Sequence, residues 1–281
     1  MALTIPTLDL EQELYYKEVG DRKVRLLLQL PRVRKYEKAP VYLIIPGGGW
    51  AMAEPESMIG MSRVSVDYAR DHGWAVASLA YRIIRHDPVD MEQIVSDCMD
   101  AGRYLAHYAQ KLGLDMGRVV TSGHSAGGHL ALMLALAPQG AFVRDSVLAD
   151  PFRVVACAPL SPPTVLYQNE TVPQTLAFSM DELLPGTTLE EWKRYSPVDW
   201  VNARSVPCRT FAGTHDDLVF PLSSELLVKA YEKAGAECEA VYAQNGGHCF
   251  ECKVPGAKVA PDALEIQKML CGYLDRFAPE K

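Results

Sequence analysis

Three kinds of side chain, far apart in this sequence, can together activate a hydroxyl: Ser125, the neighbouring Asp216 and Asp217, and His248. A serine hydroxyl alone is a weak nucleophile at neutral pH. A histidine that takes its proton, oriented by a carboxylate, makes it a strong one. Ser125 sits in Gly123-His124-Ser125-Ala126-Gly127, behind the β-branched run Val119-Val120-Thr121 and ahead of an apolar segment from Leu130 to Ala137. That order predicts a strand, one tight turn and a buried helix, with the serine on the corner. Glycines at 123 and 127 spare the corner two β-carbons, and the serine must take a strained backbone. The helix then begins beneath the hydroxyl and aims free N–H groups at it. An ordinary glycine-rich turn that happened to hold a serine would lack these flanks. The pattern predicts that Ser125 is a nucleophile.

Base and acid must come from other strands, because active-site groups of an open α/β sheet collect at the strands' carboxyl ends. A strand expected at 208–212 is followed by Gly213-Thr214-His215-Asp216-Asp217, and one at 237–243 by Gln244-Asn245-Gly246-Gly247-His248. His248 is the candidate base, its two preceding glycines letting an imidazole lie beside the serine; a buried loop histidine is the alternative. Asp216 is the favoured acid and Asp217 the other choice, since charge alone does not separate adjacent carboxylates. Among the other histidines, His72 reads as a loop residue, His107 as helix surface, and His124 and His129 as parts of the turn and its helix. His86 and His215 follow strands and are placed to line a pocket.

Negative charge developing on a carbonyl oxygen needs preplaced donors. One is the backbone N–H of Ala126; the others are expected in Gly47-Gly48-Gly49, directly after an apolar strand at 41–45. The glycine run lacks the G-K-[ST] ending of a phosphate loop and the spaced glycines of a dinucleotide fingerprint. Cys249-x-x-Cys252 has no second ligand pair for zinc and runs on into a Lys253-Val254-Pro255-Gly256 loop, not a helix. No metal and no cofactor are expected.

The elements that hold these residues alternate. Residues 13–19 and 24–30 read as a hairpin around Gly20-Asp21, with further strands at 74–80 and 152–158. Helices are expected at 57–70, 90–112, 222–234 and after Pro261. Over 90–112, Ile94, Cys98, Ala101, Leu105, Tyr108 and Leu112 recur at helical spacing, leaving Asp97, Asp100, Arg103 and Lys111 on the outer face. On the last helix Ile266, Met269, Leu270, Tyr273 and Phe277 form the expected buried stripe. Strands alternating with crossover helices imply one α/β domain over 1–281, a mainly parallel sheet covered on both faces. Residues 159–205 interrupt the alternation; only 188–195 looks helical, capped by Thr188 with Glu191 three residues on. So long an irregular stretch implies function, and it is read as a small cap over the serine. Tyr167, Phe178 and Trp192 are its candidate wall residues, with core packing as the alternative.

Composition narrows the class. The chain has 281 residues, 48% apolar and 22% charged, with net charge −7 and no basic block. Nucleic acid and a polybasic membrane anchor are not expected partners. No apolar run is long enough for a membrane span, and the amino-terminal stretch lacks a secretory pattern. Seven scattered cysteines fit a reducing cytoplasm.

The sequence resembles the α/β-hydrolase superfamily of esterases over nearly its whole length. Pro46-Gly47-Gly48-Gly49-Trp50, Leu79-Ala80-Tyr81-Arg82, Gly123-His124-Ser125-Ala126-Gly127-Gly128-His129-Leu130 and Gly213-x-x-Asp216-x-x-Val219 look most like the acetyl-xylan and feruloyl-type carbohydrate esterases. Lipase-like members of the superfamily usually carry His-Gly-Gly-Gly followed by an aromatic at the first of these motifs, and Pro46 stands here in the histidine place. The resemblance implies an α/β-hydrolase fold and a cofactor-free serine esterase acting on short acyl esters, acetyl first. Ser125, Asp216 and His248 would be its triad, and Gly47, Gly48 and Ala126 its oxyanion donors. Acetylated xylo-oligosaccharides are the expected substrates. An arylformamidase or other small-amide hydrolase is the rival enzyme. A non-catalytic binding protein on the same fold is the rival of another class.

Overall fold

The computed structural model describes residues 3–280; Met1 and Ala2, the start of the stretch read for a leader, and Lys281 lie outside the described residues. Among the described residues the strands are β1 (Glu11–Val19), β2 (Arg22–Gln29), β3 (Ala39–Ile45), β4 (Ala75–Leu79), β5 (Leu114–His124), β6 (Val154–Leu160), β7 (Cys208–Gly213) and β8 (Cys238–Ala243). The helices are α1 (Pro55–Met61), α2 (Arg63–Asp71), α3 (Met91–His107), α4 (Ala109–Leu112), α5 (Ala126–Leu136), α6 (Met180–Leu183), α7 (Leu189–Arg194), α8 (Leu222–Ala234) and α9 (Ala263–Arg276).

The strands form one sheet in the order β1-β2-β4-β3-β5-β6-β7-β8. β1–β2 and β2–β4 are antiparallel, and the remaining pairings are parallel. Alternation along β3 divides the core. Val41, Leu43 and Ile45 join α3, α5 and α8 on one face, while Tyr42 and Ile44 join α2 and α9 on the other. The strand order reverses between β3 and β5, and the crevice beyond the carboxyl ends of such a pair is where open α/β sheets bind ligands. The loops in that crevice are the glycine run after Ile45 and the corner after His124.

Several elements differ from the sequence reading. The helix expected at 57–70 breaks at Ser62 into α1 and α2. The amide of Gln267, buried on α9, serves the freed backbone by donating to Met61 O at 2.9 Å and accepting from Ser65 N at 3.1 Å. Met269, expected in the buried stripe, is 37% exposed, so the stripe turns to Ile266, Leu270, Tyr273 and Leu274. The helix expected over 90–112 ends at His107, with the short α4 carrying the period on to Gly113. The strand expected at 152–158 lies two residues later, because β6 pairs with β5 out to His124 opposite Leu160.

Asp97, Asp100 and Arg103 were expected on the outer face of their helix, and the structure buries all three. The reason is charge pairing. Lys17 of β1 meets Asp97 at 2.8 Å and Asp100 at 2.7 Å, Arg82 forks onto Asp97, and Arg103 pairs with Asp100 at 2.5 Å. Every carboxylate in the cluster has a cation against it, which is what lets charges lie in a core.

The corner glycines are dictated by backbone contact. A β-carbon on Gly127 would lie 2.0 Å from Ile45 O, and one on Gly123 would lie 2.3 Å from Gly127 O. Gly127→Ala is therefore expected to destabilise the fold by at least about 3 kcal/mol in chemical denaturation, since no flexible side chain can yield. Gly272→Ala, on an open helix face, is expected to stabilise by up to about 1 kcal/mol in the same assay. Equal effects would refute the steric account.

Candidate functional site

Ser125 occupies the corner between β5 and α5 with φ 55° and ψ −123°, a region that non-glycine residues enter only under constraint. The constraint is visible. Its N–H donates to Leu160 O at 2.8 Å, and its carbonyl accepts from His129 N at 3.0 Å. The side chain stands at the crevice floor with the residue 8% exposed. Its hydroxyl makes no hydrogen bond among the described residues, and nucleophile–base contacts commonly tighten only around substrate.

His248 and Asp216 meet beside it. His248 Nδ1 donates to Asp216 Oδ2 at 2.8 Å, which leaves Nε2 as the ring's unprotonated nitrogen. The other carboxylate oxygen of Asp216 accepts from Leu218 N and Val219 N, both at 2.9 Å. Asp216 is 4% exposed, whereas Asp217 is exposed and pairs with Lys253 at 3.2 Å. Geometry thus separates two acids that charge arguments left together. The loops approach closely because Gly213 has no side chain, and a β-carbon there would lie 2.3 Å from Gly246 O and Gly247 O.

Two residues pin the histidine from behind. His124 Nε2 donates to His248 O at 2.9 Å, and Ser161 Oγ donates to the same carbonyl at 3.0 Å. The His124 and His248 rings lie 4.7 Å apart. His124, next to Ser125 in the chain, thereby ties the His248 loop to the serine corner.

The glycine loop folds onto the corner. A β-carbon on Gly47 would lie 2.7 Å from His124 O and 3.3 Å from Ser125 Cβ. Gly48 takes φ 127°, and its carbonyl accepts from Ala51 N and Met52 N in a tight turn. Among the described residues the N–H groups of Gly47, Gly48 and Ala126 have no hydrogen-bond acceptor. Backbone donors left free next to a serine can receive an oxyanion. Pro46 cannot supply the bonds of the usual histidine, and the loop is tied down otherwise. Tyr81 Oη donates to Pro46 O at 3.2 Å and to Met52 O at 3.3 Å, and Ile84 N donates to Trp50 O at 3.0 Å. Trp50 Nε1 donates to His129 Nδ1 at 3.3 Å. Arg82, forked onto Asp97, anchors the segment that carries Tyr81.

Burial lowers the pKa of His124 to about 4, helped by the neighbouring His248, and burial likewise lowers that of His129 to about 4. Both are neutral in the folded protein. The unfolded chain binds protons at these positions from about pH 6.5 downward, so stability is full above that value and is lost as pH falls towards 4. The loss is expected to be of the order of 3 kcal/mol for each histidine. Denaturant unfolding at a series of pH values checks it, and His129→Gln should flatten the slope. An unchanged slope in that variant would contradict the assignment.

His86 and His215, read as pocket-lining, are exposed. His107 pairs with Asp150, and His72 stacks on Tyr68. Cys249 and Cys252 are exposed free thiols, and Cys252 Sγ donates to Val254 O at 3.2 Å. Among the described residues no cluster of three metal-ligating side chains occurs, and no helix is long and apolar enough to cross a membrane. Tyr167, Phe178 and Trp192 line a cavity of about 310 Å³ within the 159–205 stretch, together with Gln174 and Asp181. Ser161, Tyr81 and His129 are the site's supporting residues that the sequence reading did not assign. Tyr81 stood in a quoted motif, but Ser161, in an irregular stretch, carried no signal.

The chain is similar to several known proteins. Esterase LipI of Mycobacterium tuberculosis is 32% identical over 98 residues, 35% of this chain and 29% of LipI. The probable carboxylic ester hydrolase LipM of the same organism is 23% identical over 266 residues, 92% of this chain and 60% of LipM. The chain thus spans less than two thirds of these curated relatives. Among solved structures, the Thermogutta terrifontis esterase Est2 with butyrate bound superposes with a TM-score of 0.77 at 25% identity, covering 98% of both chains. The BD-FAE family model matches residues 26–231, most of the sheet and every strand of the crevice except β8. With that match, and with a sheet whose order places a serine corner beside a glycine loop, the chain belongs to the BD-FAE family and has the α/β-hydrolase fold.

Proposed function

We propose that this protein is a serine esterase that hydrolyses small acyl esters, acetyl first, with acetylated xylo-oligosaccharides as its natural substrate class. The observation that carries the reading is the hydrogen bond from His248 to the buried Asp216, close to a serine on a strained corner. In the first step Ser125 Oγ attacks the ester carbonyl while His248 Nε2 takes its proton. The tetrahedral oxyanion is received by the amides of Ala126, Gly47 and Gly48, and the alcohol leaves with the proton from His248. Water, giving its proton to His248, then attacks the acyl-serine, and the carboxylic acid departs as Ser125 is reprotonated.

The acyl preference draws support from Est2, whose structures include propionate- and butyrate-bound forms. The 159–205 stretch is read as the cap that selects the alcohol. Leu176 bridges to Val219 beside the acid loop, and the aromatic and amide groups of its cavity suit a hydroxylated ring. Seven free thiols support a reducing, cytoplasmic setting.

The test is a hydrolysis panel on wild type and Ser125→Ala: p-nitrophenyl esters of rising acyl length, acetylated xylo-oligosaccharides, a feruloyl ester and an aryl formamide. The expected result is the highest kcat/KM on acetyl esters and sugar acetates, lost in the variant. Turnover confined to the formamide would make the protein an amide hydrolase. Equal rates in both proteins would remove Ser125 from the chemistry.

A further inference from the structure

His129 touches three parts of the crevice at once. Its backbone N–H donates to Ser125 O at 3.0 Å, its Nδ1 accepts from Trp50 Nε1 at 3.3 Å, and its Nε2 donates to Tyr195 O at 2.7 Å. Trp50 closes the glycine loop, and Tyr195 follows α7 in the 159–205 stretch. The ring is wholly buried, and both nitrogens are satisfied in a single tautomer.

Trp50 needs such a tether. Its φ of +56° is one that a bulky residue resists, and Gly49 before it takes φ +58°. Those two left-handed residues set the direction of the loop, and hence where the amides of Gly47 and Gly48 point. The indole and imidazole meet edge to face, with centroids 5.3 Å apart at 83°, so the contact fixes orientation as well as distance. A leucine would fill the space but leave Trp50 Nε1 and Tyr195 O without these partners. The imidazole therefore adds direction rather than volume.

We propose that His129 is a positioning residue: it locks the glycine loop to the insertion and so holds the Gly47 and Gly48 amides on the oxyanion of the acyl-transfer reaction. The inference rests on the esterase reading and adds that the insertion, through Tyr195 O, is part of the oxyanion-hole support. Its effect belongs in the transition state, where the amides carry charge, and little of it in ground-state binding.

The test compares wild type, His129→Leu, His129→Gln, Trp50→Phe and the Trp50→Phe/His129→Leu double variant on p-nitrophenyl acetate. For His129→Leu and Trp50→Phe, kcat is expected to fall roughly 10- to 100-fold with KM within about three-fold, the size of a displaced rather than deleted donor. Affinity for a trifluoromethyl ketone, which forms the tetrahedral adduct, is expected to fall in parallel with kcat. His129→Gln, with one acceptor and one donor, is expected to retain more kcat than His129→Leu. The double variant should be no slower than the slower single, because His129→Leu already removes the one bond that Trp50→Phe removes. Near-UV circular dichroism establishes that each variant is folded. If His129→Leu is not, Trp50→Phe, which deletes the donor and keeps the ring, carries the test. Unchanged kcat in Trp50→Phe, losses confined to KM, or additive losses in the double variant would overturn the proposal. An inactive wild type, matched by Ser125→Ala, would instead overturn the esterase reading.

Discussion

Replacing Ser125 by alanine is expected to lower kcat on p-nitrophenyl acetate by roughly 10⁴- to 10⁶-fold while leaving the protein folded. In the proposed mechanism the oxygen removed is the one to which the acyl group transfers. What survives is the contribution of the backbone donors and of binding, which act on an attacking water without the serine. Stability should not suffer. The hydroxyl makes no hydrogen bond among the described residues, so nothing buried is left unpaired. Ser125→Gly should be more stable than wild type by about 1 kcal/mol, because φ 55° is a strain that glycine does not feel. A catalytically dead glycine variant with a raised Tm would show that the strain serves the site and not the fold. An alanine variant that kept a tenth of the activity would point to another nucleophile.

Asp216→Asn is expected to cost roughly 10⁴-fold in kcat, with the protein still folded. The carboxylate has two jobs on its two oxygens. Oδ1 accepts from Leu218 N and Val219 N, and Oδ2 accepts from His248 Nδ1. An asparagine keeps its single oxygen on the two backbone donors, so its NH₂ faces the imidazole. His248 can then only accept at Nδ1, which puts the proton on Nε2 and leaves no base beside Ser125. The imidazolium formed during attack also loses its counter-charge. Asp217→Asn, at an exposed carboxylate paired with Lys253, is expected to stay within about two-fold of wild type. Steady-state kinetics on both variants decides the matter; equal losses would mean that position 216 is not the acid.

Local chemistry made much of this legible. The serine corner was readable because a strand, two glycines and a buried helix must follow one another in the chain, and each leaves its mark in composition. The hairpin at Gly20, the cap at Thr188 and the strand-end segments holding Asp216 and His248 were readable for the same reason. Elements whose surroundings are non-local were misjudged. Asp97 and Asp100 looked like solvent residues by helical period, but their partners Lys17 and Arg82 come from β1 and from beyond β4. The break at Ser62 is served by Gln267, some two hundred residues away, and no local pattern announces it.

The sequence by itself determined which groups could do chemistry: a serine that must stand on a corner, acids and a histidine that must lie at strand ends, and a glycine run able to bring backbone close to a ligand. Those are properties of short segments, set by sterics and hydrogen-bonding capacity. Only the tertiary structure decided that β3 and β5 are neighbours, which brings the glycine loop onto the corner. It also decided that Asp216 and not Asp217 meets His248, since burial and that bond depend on which way β7 hands its chain to the loop beyond. And it tied the loop down through Tyr81, His129 and the 159–205 stretch, contacts between segments that have no reason to know of one another until the sheet has formed.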